Sequence, residues 1–222
     1  QLLRGKVNSR FHDGPCAAPT ADGMLYFTRS NFVRGKYARD EKGYNHLQVM
    51  SAQLKGRKWK HVQVLPFNDR QYSCGHPSLS ADGQVLYFAS DLPGGYGGTD
   101  IYMSRKEGDG WRKPENLGQS VNSEGDELFP FIHPNGTLYF ASNGRPGMGG
   151  LDLFASKDID GLREDAQNLG APVNSSADDF AMVWEKNGRT GLFTSNRAGG
   201  AGADDIYRFD QKIWIELEAI SS

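Results

Sequence analysis

Long apolar runs are missing from this 222-residue chain. None approaches the roughly 20 residues that a membrane helix needs, and no charged start followed by an apolar segment marks a secretory leader. Direct membrane insertion is not expected, and the compartment has to be read from other features. Cysteine is scarce, at two residues, too few for a disulfide framework. Excess positive charge is missing too. A net charge of −2 and a pI near 6.2 argue against a nucleic-acid or anionic-membrane surface, because both partners need concentrated Lys and Arg. The alanine–leucine–lysine pattern of helices is absent, whereas 28 Gly, 10 Pro and 11% aromatic residues supply turns and strand formers. The expected class is all-β.

Several chemistries lack their signatures as well. There is no GxSxG elbow for a peptidase, and SRKEGDGW at 104–111 does not match a sialidase-type aspartate box. His12, His46, His61, His76 and His133 are scattered without ligand spacing. His76 and His133 fall on segments that could face a central channel. The acidic residues recur at equivalent places in each repeat, so Asp126, Glu127, Asp178 and Asp179 read as structural, although an enzyme would have to use them. No cofactor or metal is expected, and no enzymatic activity.

What the sequence does contain is a repeat. NGTLYFASNGRPGMGGLDLF at 135–154 returns as DGQVLYFASDLPGGYGGTDIY upstream and NGRTGLFTSNRAGGAGADDIY downstream. The turns Asp22-Gly23, Asp82-Gly83, Asn135-Gly136 and Asn187-Gly188 are separated by 60, 53 and 52 residues. That period is close to the roughly 40–50 residues of common propeller blades. The dipeptides predict two-residue hairpin turns with positive φ. Each copy offers four strands: an inner one (HPSLSA, FPFIHP, FAMVWE), an apolar one (MLYFTRS, VLYFAS, TLYFAS, TGLFTS), a third after the glycine loop (HLQVMSAQ, DIYMSRK, DLFASKD, DIYRFD), and a fourth at 59–65, 111–117, 162–169 and 213–217. Four short strands are the content of one blade. The prediction is a β-propeller of four-stranded antiparallel blades at about 11–68, 69–122, 123–174 and 175–217. Residues 1–10 would be the tail of a preceding repeat, because QLLRGKVNSR is related to ENLGQSVNSE and QNLGAPVNSS, and 218–222 would begin a linker. The parent ring is expected to have five blades.

The glycine loops at 94–98, 147–150 and 199–202 each precede an acidic residue: Asp100, Asp152, or Asp204 with Asp205. An Asp there can accept hydrogen bonds from loop amides. A phosphate cradle would need a strand–loop–helix context, and calcium would need about six to eight oxygen ligands where each loop offers one carboxylate. Cys16 and Cys74 precede the turns of adjacent repeats by similar distances, which leaves open a disulfide between neighbouring blades near the axis. The first repeat breaks the pattern by carrying NFVRGKYARDEKGYN in place of the glycine loop. An enlarged loop on a rigid scaffold is a common place for partner contacts. Candidate contacts are Arg34, Tyr37, Arg39 and Tyr44 there, with Tyr96 and Met148 on the glycine loops, since Tyr and Arg are frequent interface anchors.

The motifs LYFAS, GGYGGTDIYMS, DGWRKPENLGQSVNS and FPFIHPNGTLYFAS resemble the WD40-like, TolB-like PD40 propeller repeat. The order and wording of all four copies are similar to the propeller module of Bacteroidetes OmpA-family proteins. The resemblance spans nearly the whole chain. It implies a non-enzymatic periplasmic interaction scaffold, associated with the outer membrane through the parent protein and linked to type IX secretion. Its expected partners are envelope or secretion-system proteins. Peptidoglycan would be bound only through a domain that this chain does not contain. The alternative is a glycan-binding or carbohydrate-active propeller acting on cell-wall sugars.

Overall fold

The computed structural model describes residues 3–17, 20–33 and 35–211, and the regular structure among them is antiparallel sheet. In blade 1, β1 (Asp13–Cys16) and β2 (Met24–Ser30) are followed by a small hairpin of β3 (Phe32–Val33) and β4 (Lys36–Tyr37), then by β5 (Leu47–Lys55) and β6 (Lys58–Val64). The sheet order is β1-β2-β5-β6. Blade 2 holds β7 (Cys74–Leu79), β8 (Val85–Ser90), β9 (Asp100–Glu107), β10 (Gly110–Trp111) and β11 (Glu115–Asn116). Blade 3 holds β12 (Glu127–Ile132), β13 (Leu138–Ser142), β14 (Asp152–Ser156), the two-stranded β15 (Asp158–Ile159) and β16 (Leu162–Arg163), and β17 (Gln167–Asn168). Blade 4 has β18 (Asp179–Trp184), β19 (Thr190–Ser195) and β20 (Asp205–Asp210). The fourth strand expected at 213–217 and the linker at 218–222 lie outside the described residues. The four sheets form a four-bladed β-propeller in which β1, β7, β12 and β18 are the inner strands and pack in sequence, β1 on β7, β7 on β12 and β12 on β18.

The apolar runs of the second strands follow from burial on both faces. Along β8, Leu86 and Phe88 join a core with Tyr26, Val49 and Phe67 of blade 1, while Tyr87 and Ala89 join one with Leu138 and Phe140 of blade 3. Along β13 the alternation repeats, and Ala141 turns to Leu153, Met182 and Phe193 at the joint with blade 4. A strand with apolar neighbours on both sides shows no polar face, and so LYFAS reads as a continuous hydrophobic word.

Two sequence expectations change in detail. The turn between inner and second strands is a four-residue loop: in blade 2 it is closed by Ser80 N–H donating to the Val85 carbonyl at 2.8 Å. Asp82 takes the Ser80 hydroxyl at 2.5 Å and Gln84 N–H at 3.0 Å, so the glycine alone carries the positive φ (+72°). The fourth strands of blades 2 and 3 are each broken in two. In both, a serine of the third strand donates its hydroxyl to a carbonyl of the fourth, Ser104 to Arg112 and Ser156 to Glu164, each at 2.6 Å. That bond replaces a rung of the ladder, and in blade 2 Pro114 has no N–H with which to continue it.

Candidate functional site

The joints between blades explain most of the recurring polar residues. The glycine loop of one blade lies against the segment that opens the next. Gly98 N–H donates to the Gly125 carbonyl at 2.8 Å, and Thr99 N–H to Asp126 Oδ1 at 2.9 Å. Leu151 N–H makes the matching bond to Asp178 Oδ1 at 2.9 Å. An asparagine holds each of these Asp residues in turn: Asn143 and Asn196 accept the backbone N–H of Asp126 and Asp178 on Oδ1 at 2.7 Å and donate from Nδ2 to their carboxylates at 3.4 and 3.0 Å. A Cβ on Gly97 or Gly149 would run into carbonyls of the following blade, and one on Gly98 or Gly150 into Asp126 or Asp178. Close backbone approach across the joint is therefore why those positions are glycine. Asp100 and Asp152 close their own loops, accepting Tyr96 N–H and Met148 N–H at 2.6 Å on Oδ2, while Oδ1 of each is buried with no partner among the described residues.

A second device is an asparagine clamp. Asn122 Oδ1 accepts Ile101 N–H at 2.7 Å, and its Nδ2 donates to the Ile101 carbonyl at 3.0 Å. Asn174 does the same to Leu153 at 2.8 and 2.9 Å, and Asn68 to Val49 at 2.8 and 2.9 Å. The side-chain amide thus pairs with the third strand as a short extra strand would. Beside the clamp, Glu127 and Asp179 are fully buried. Glu127 accepts Ser123 N–H and the Ser123 and Ser142 hydroxyls, whereas Asp179 pairs with Arg197 at 2.5 Å. Asp126 and Asp178 bond across the joints, Asp179 orients Arg197, whose guanidinium reaches the Pro172 and Val173 carbonyls of the preceding blade, and Glu127 is satisfied within its own blade. None of the three clamps was read from the sequence; LGQSVN and LGAPVN carry a recurring signal for two of them, whereas at Asn68 the shorter LPFN keeps only an apolar residue followed by Asn.

The inserted loop of the first repeat is ordered by local contacts. Asn45 Nδ2 donates to the Asn31 and Ala38 carbonyls at 2.6 and 2.9 Å. Asp40 accepts Lys42 and Tyr44 N–H and meets His46 Nε2 at 3.1 Å. Burial by itself would raise the Asp40 carboxyl, but the bonds from His46, Tyr44 and Lys42 hold it below the ordinary range. Phe11 stacks on Phe32 at 4.5 Å and meets Tyr37 edge-on at 4.7 Å, tying β3 and β4 to the blade. Tyr44 is 65% exposed at the tip, and the exposed Arg39 donates to the Gly43 carbonyl at 2.5 Å. Tyr96 and Met148 are exposed at equivalent places on the glycine loops of blades 2 and 3. Arg34 lies outside the described residues. In antiparallel blades, connections between second and third strands all fall at one end, so Tyr37, Arg39, Tyr44, Tyr96 and Met148 share that end of the propeller.

The central channel belongs to the other end. A cavity of about 920 Å³ is bordered by all four inner strands, from His76, Phe129 and Ala181 to Asp22, Asp82, Pro134 and Lys186 at the turns. At its deep end His76, Phe129 and Ala181 occupy the same bulge in three blades with φ of +52 to +54°. His76 stacks on Phe129 at 4.0 Å and accepts Phe129 N–H on Nδ1 at 3.3 Å. Burial pushes its pKa down to about 4. His133 packs against Trp184 and Tyr139. No group of three or more His, Cys, Asp or Glu among the described residues could hold a metal ion.

Cys16 and Cys74 are both free, which corrects the disulfide considered from their spacing. Register separates them: Cys16 lies opposite Phe27 at the turn end of β1, and Cys74 opposite Ser90 at the far end of β7. Cys74 is buried, in register where blades 3 and 4 carry Glu127 and Asp179, and burial pushes its thiol up to about 12.

No family model matches the sequence, and no curated protein matches it. Solved structures do match the fold. TolB from Acinetobacter baumannii superposes with a TM-score of 0.58 at 13% identity, over 91% of this chain and 42% of that one. A puromycin-hydrolyzing peptidase from Mycobacterium tuberculosis gives 0.56 at 17% identity, over 90% and 27%. An endo-arabinase from Bacteroides thetaiotaomicron gives 0.53 at 13%, over 87% and 72%. The chain thus spans less than half the length of the first two. These likenesses establish that it has a β-propeller fold similar to that of TolB.

Proposed function

We propose that this chain is a non-enzymatic protein-interaction scaffold: the propeller module of a peptidoglycan-associated OmpA-family protein of the bacterial periplasm, with partners in type IX secretion, as its resemblance to the propeller of PorE implies. The observation that carries the reading is the use of the recurring carboxylates. Of the acidic residues that an enzyme would need, Asp126 and Asp178 bond across blade joints and Glu127 and Asp179 are taken up by serines and Arg197 of their own blades, while the one segment that departs from the repeat is an ordered loop with exposed Tyr37, Arg39 and Tyr44. A rigid ring presents such side chains with little ordering cost. A fifth blade in the parent ring belongs to the same reading: Ile206 is 74% exposed at the strand position where Ile101 and Leu153 are fully buried.

The test is recovery of envelope proteins on the immobilised chain. Secretion-system components are expected, and the Arg39→Ala/Tyr44→Ala double variant should lose most of that recovery while its melting temperature stays within a few degrees of wild type. Unchanged recovery would remove the loop from the proposal. A glycan-binding reading is favoured by the channel, whose lining includes Phe129, Phe131 and Trp184. Calorimetric titration with muropeptides decides it, since a channel site predicts binding that Trp184→Ala abolishes.

A further inference from the structure

Charge is unevenly placed along the chain. Residues 1–72 hold thirteen Lys and Arg against five Asp and Glu, a net of +8. The remaining 150 hold twelve against twenty-two, a net of −10, and the two make up the −2 of the whole. The small net charge therefore hides a basic blade 1 joined to acidic blades 2 to 4. Six of the thirteen cations line the outer edge of blade 1. Lys58 and Lys60 on β6 flank the buried Trp59, and the β5–β6 hairpin adds Lys55 and Arg57. The chain around Gly5 runs parallel to this edge. Lys6 N–H donates to the Trp59 carbonyl at 3.1 Å and Trp59 N–H to the Arg4 carbonyl at 2.8 Å, which brings Arg4 and Lys6 alongside. All six are exposed, no Asp or Glu occurs at 4–6 or 55–60, and none of the six makes an ion pair among the described residues. Lysines on an edge strand also discourage edge-to-edge pairing. Here residues 4–6 already cover part of that edge, and Arg4, Lys6 and Arg57 are left without account.

We propose that this strip is a docking surface for a short acidic segment of a partner protein, separate from the loop of the first repeat. Charge complementarity gives the sign of the partner, and the rest of the molecule limits its size. At physiological ionic strength a charge is felt over about 8 Å, so a segment confined to the strip is screened from blades 2 to 4. A flat anionic membrane or a long nucleic acid has to approach their net −10 as well.

Fluorescence anisotropy of a labelled Asp/Glu-rich peptide with the full chain tests this. The peptide should bind with an affinity that falls as NaCl is raised, and its Asn/Gln counterpart should not bind. The Lys55→Gln/Arg57→Gln/Lys58→Gln/Lys60→Gln variant should weaken binding at least about tenfold, and the milder Lys58→Gln/Lys60→Gln pair measurably, with melting temperatures unchanged because all of these side chains are exposed. Arg39→Ala/Tyr44→Ala should bind as wild type does. No binding of the acidic peptide, equal binding by both neutralised variants, or tighter association with phosphatidylglycerol vesicles or a single-stranded oligonucleotide than with the peptide would overturn the proposal.

Discussion

His76 shows how one residue joins backbone strain, packing and titration. Its φ of +54° is left-handed, its ring stacks on Phe129, and Nδ1 is occupied as an acceptor, so the buried ring is neutral with its proton on Nε2. With a folded pKa near 4, below the unfolded value of 6.5, the unfolded chain takes up the proton first as pH falls. The stabilisation is complete above about pH 6.5 and is lost towards pH 4, to a total of roughly 3 kcal/mol. Melting temperature measured across that window should fall for the wild type and stay nearly flat for His76→Asn, a substitution that tolerates the left-handed backbone. Asp22 and Asp82, held below the ordinary carboxylate range by Thr20 and Ser80, act only at lower pH. The two thiols give a simpler contrast. A disulfide-exchange reagent should label Cys16 in the native chain and Cys74 only after denaturation, because Cys74 is buried and its thiolate strongly disfavoured.

Among elements, the asparagine clamp does the work of a missing strand. Asn122 and Asn174 are almost fully buried, while Asn68 is half-buried. Removing the amide leaves the N–H of the third strand unpaired, at a cost of about 1–3 kcal/mol, while the carbonyl keeps the backbone N–H of Leu117, Leu169 or Leu65. Denaturant titration should therefore give losses of about 1–3 kcal/mol for Asn122→Ala and Asn174→Ala and a smaller one for Asn68→Ala. The order matters more than the values: equal losses at the three sites would mean that burial does not set the cost. The strands themselves were legible in the sequence because two buried faces leave an unbroken apolar word. The split of the fourth strands was not, since it depends on Ser104 and Ser156 reaching carbonyls contributed by residues eight positions on.

Across the whole molecule, the joints between blades are near-copies, so their energies should behave as separate terms. Asp126 and Asp178 belong to successive joints and each accepts one amide from the preceding glycine loop. Asp126→Ala and Asp178→Ala should each cost about 1–3 kcal/mol, and the double variant should equal their sum within about 0.5 kcal/mol. A large coupling term in urea titrations would show that blade 3 transmits strain from one joint to the other. The same architecture sorts the candidate surfaces by end: the loop residues and the glycine-loop tips share one end, and the channel meets the turns at the other. Mutations at one end are expected to leave binding at the other intact.

The sequence by itself determined the repeat and the all-β class, because periodic turns and doubly buried strands are local patterns that sterics and burial impose on any chain carrying them. It also marked Asp126 and Asp178 as structural, through their recurrence. The tertiary structure alone decided what each polar residue faces. Asp126 turned out to bind an amide of the blade before it, Cys16 and Cys74 to sit at opposite ends of neighbouring strands, and Arg4 and Lys6 to lie beside Lys58 and Lys60 some fifty residues away. Such contacts are set by strand register and by the packing of one blade on the next, neither of which is encoded in the spacing of residues within a single repeat.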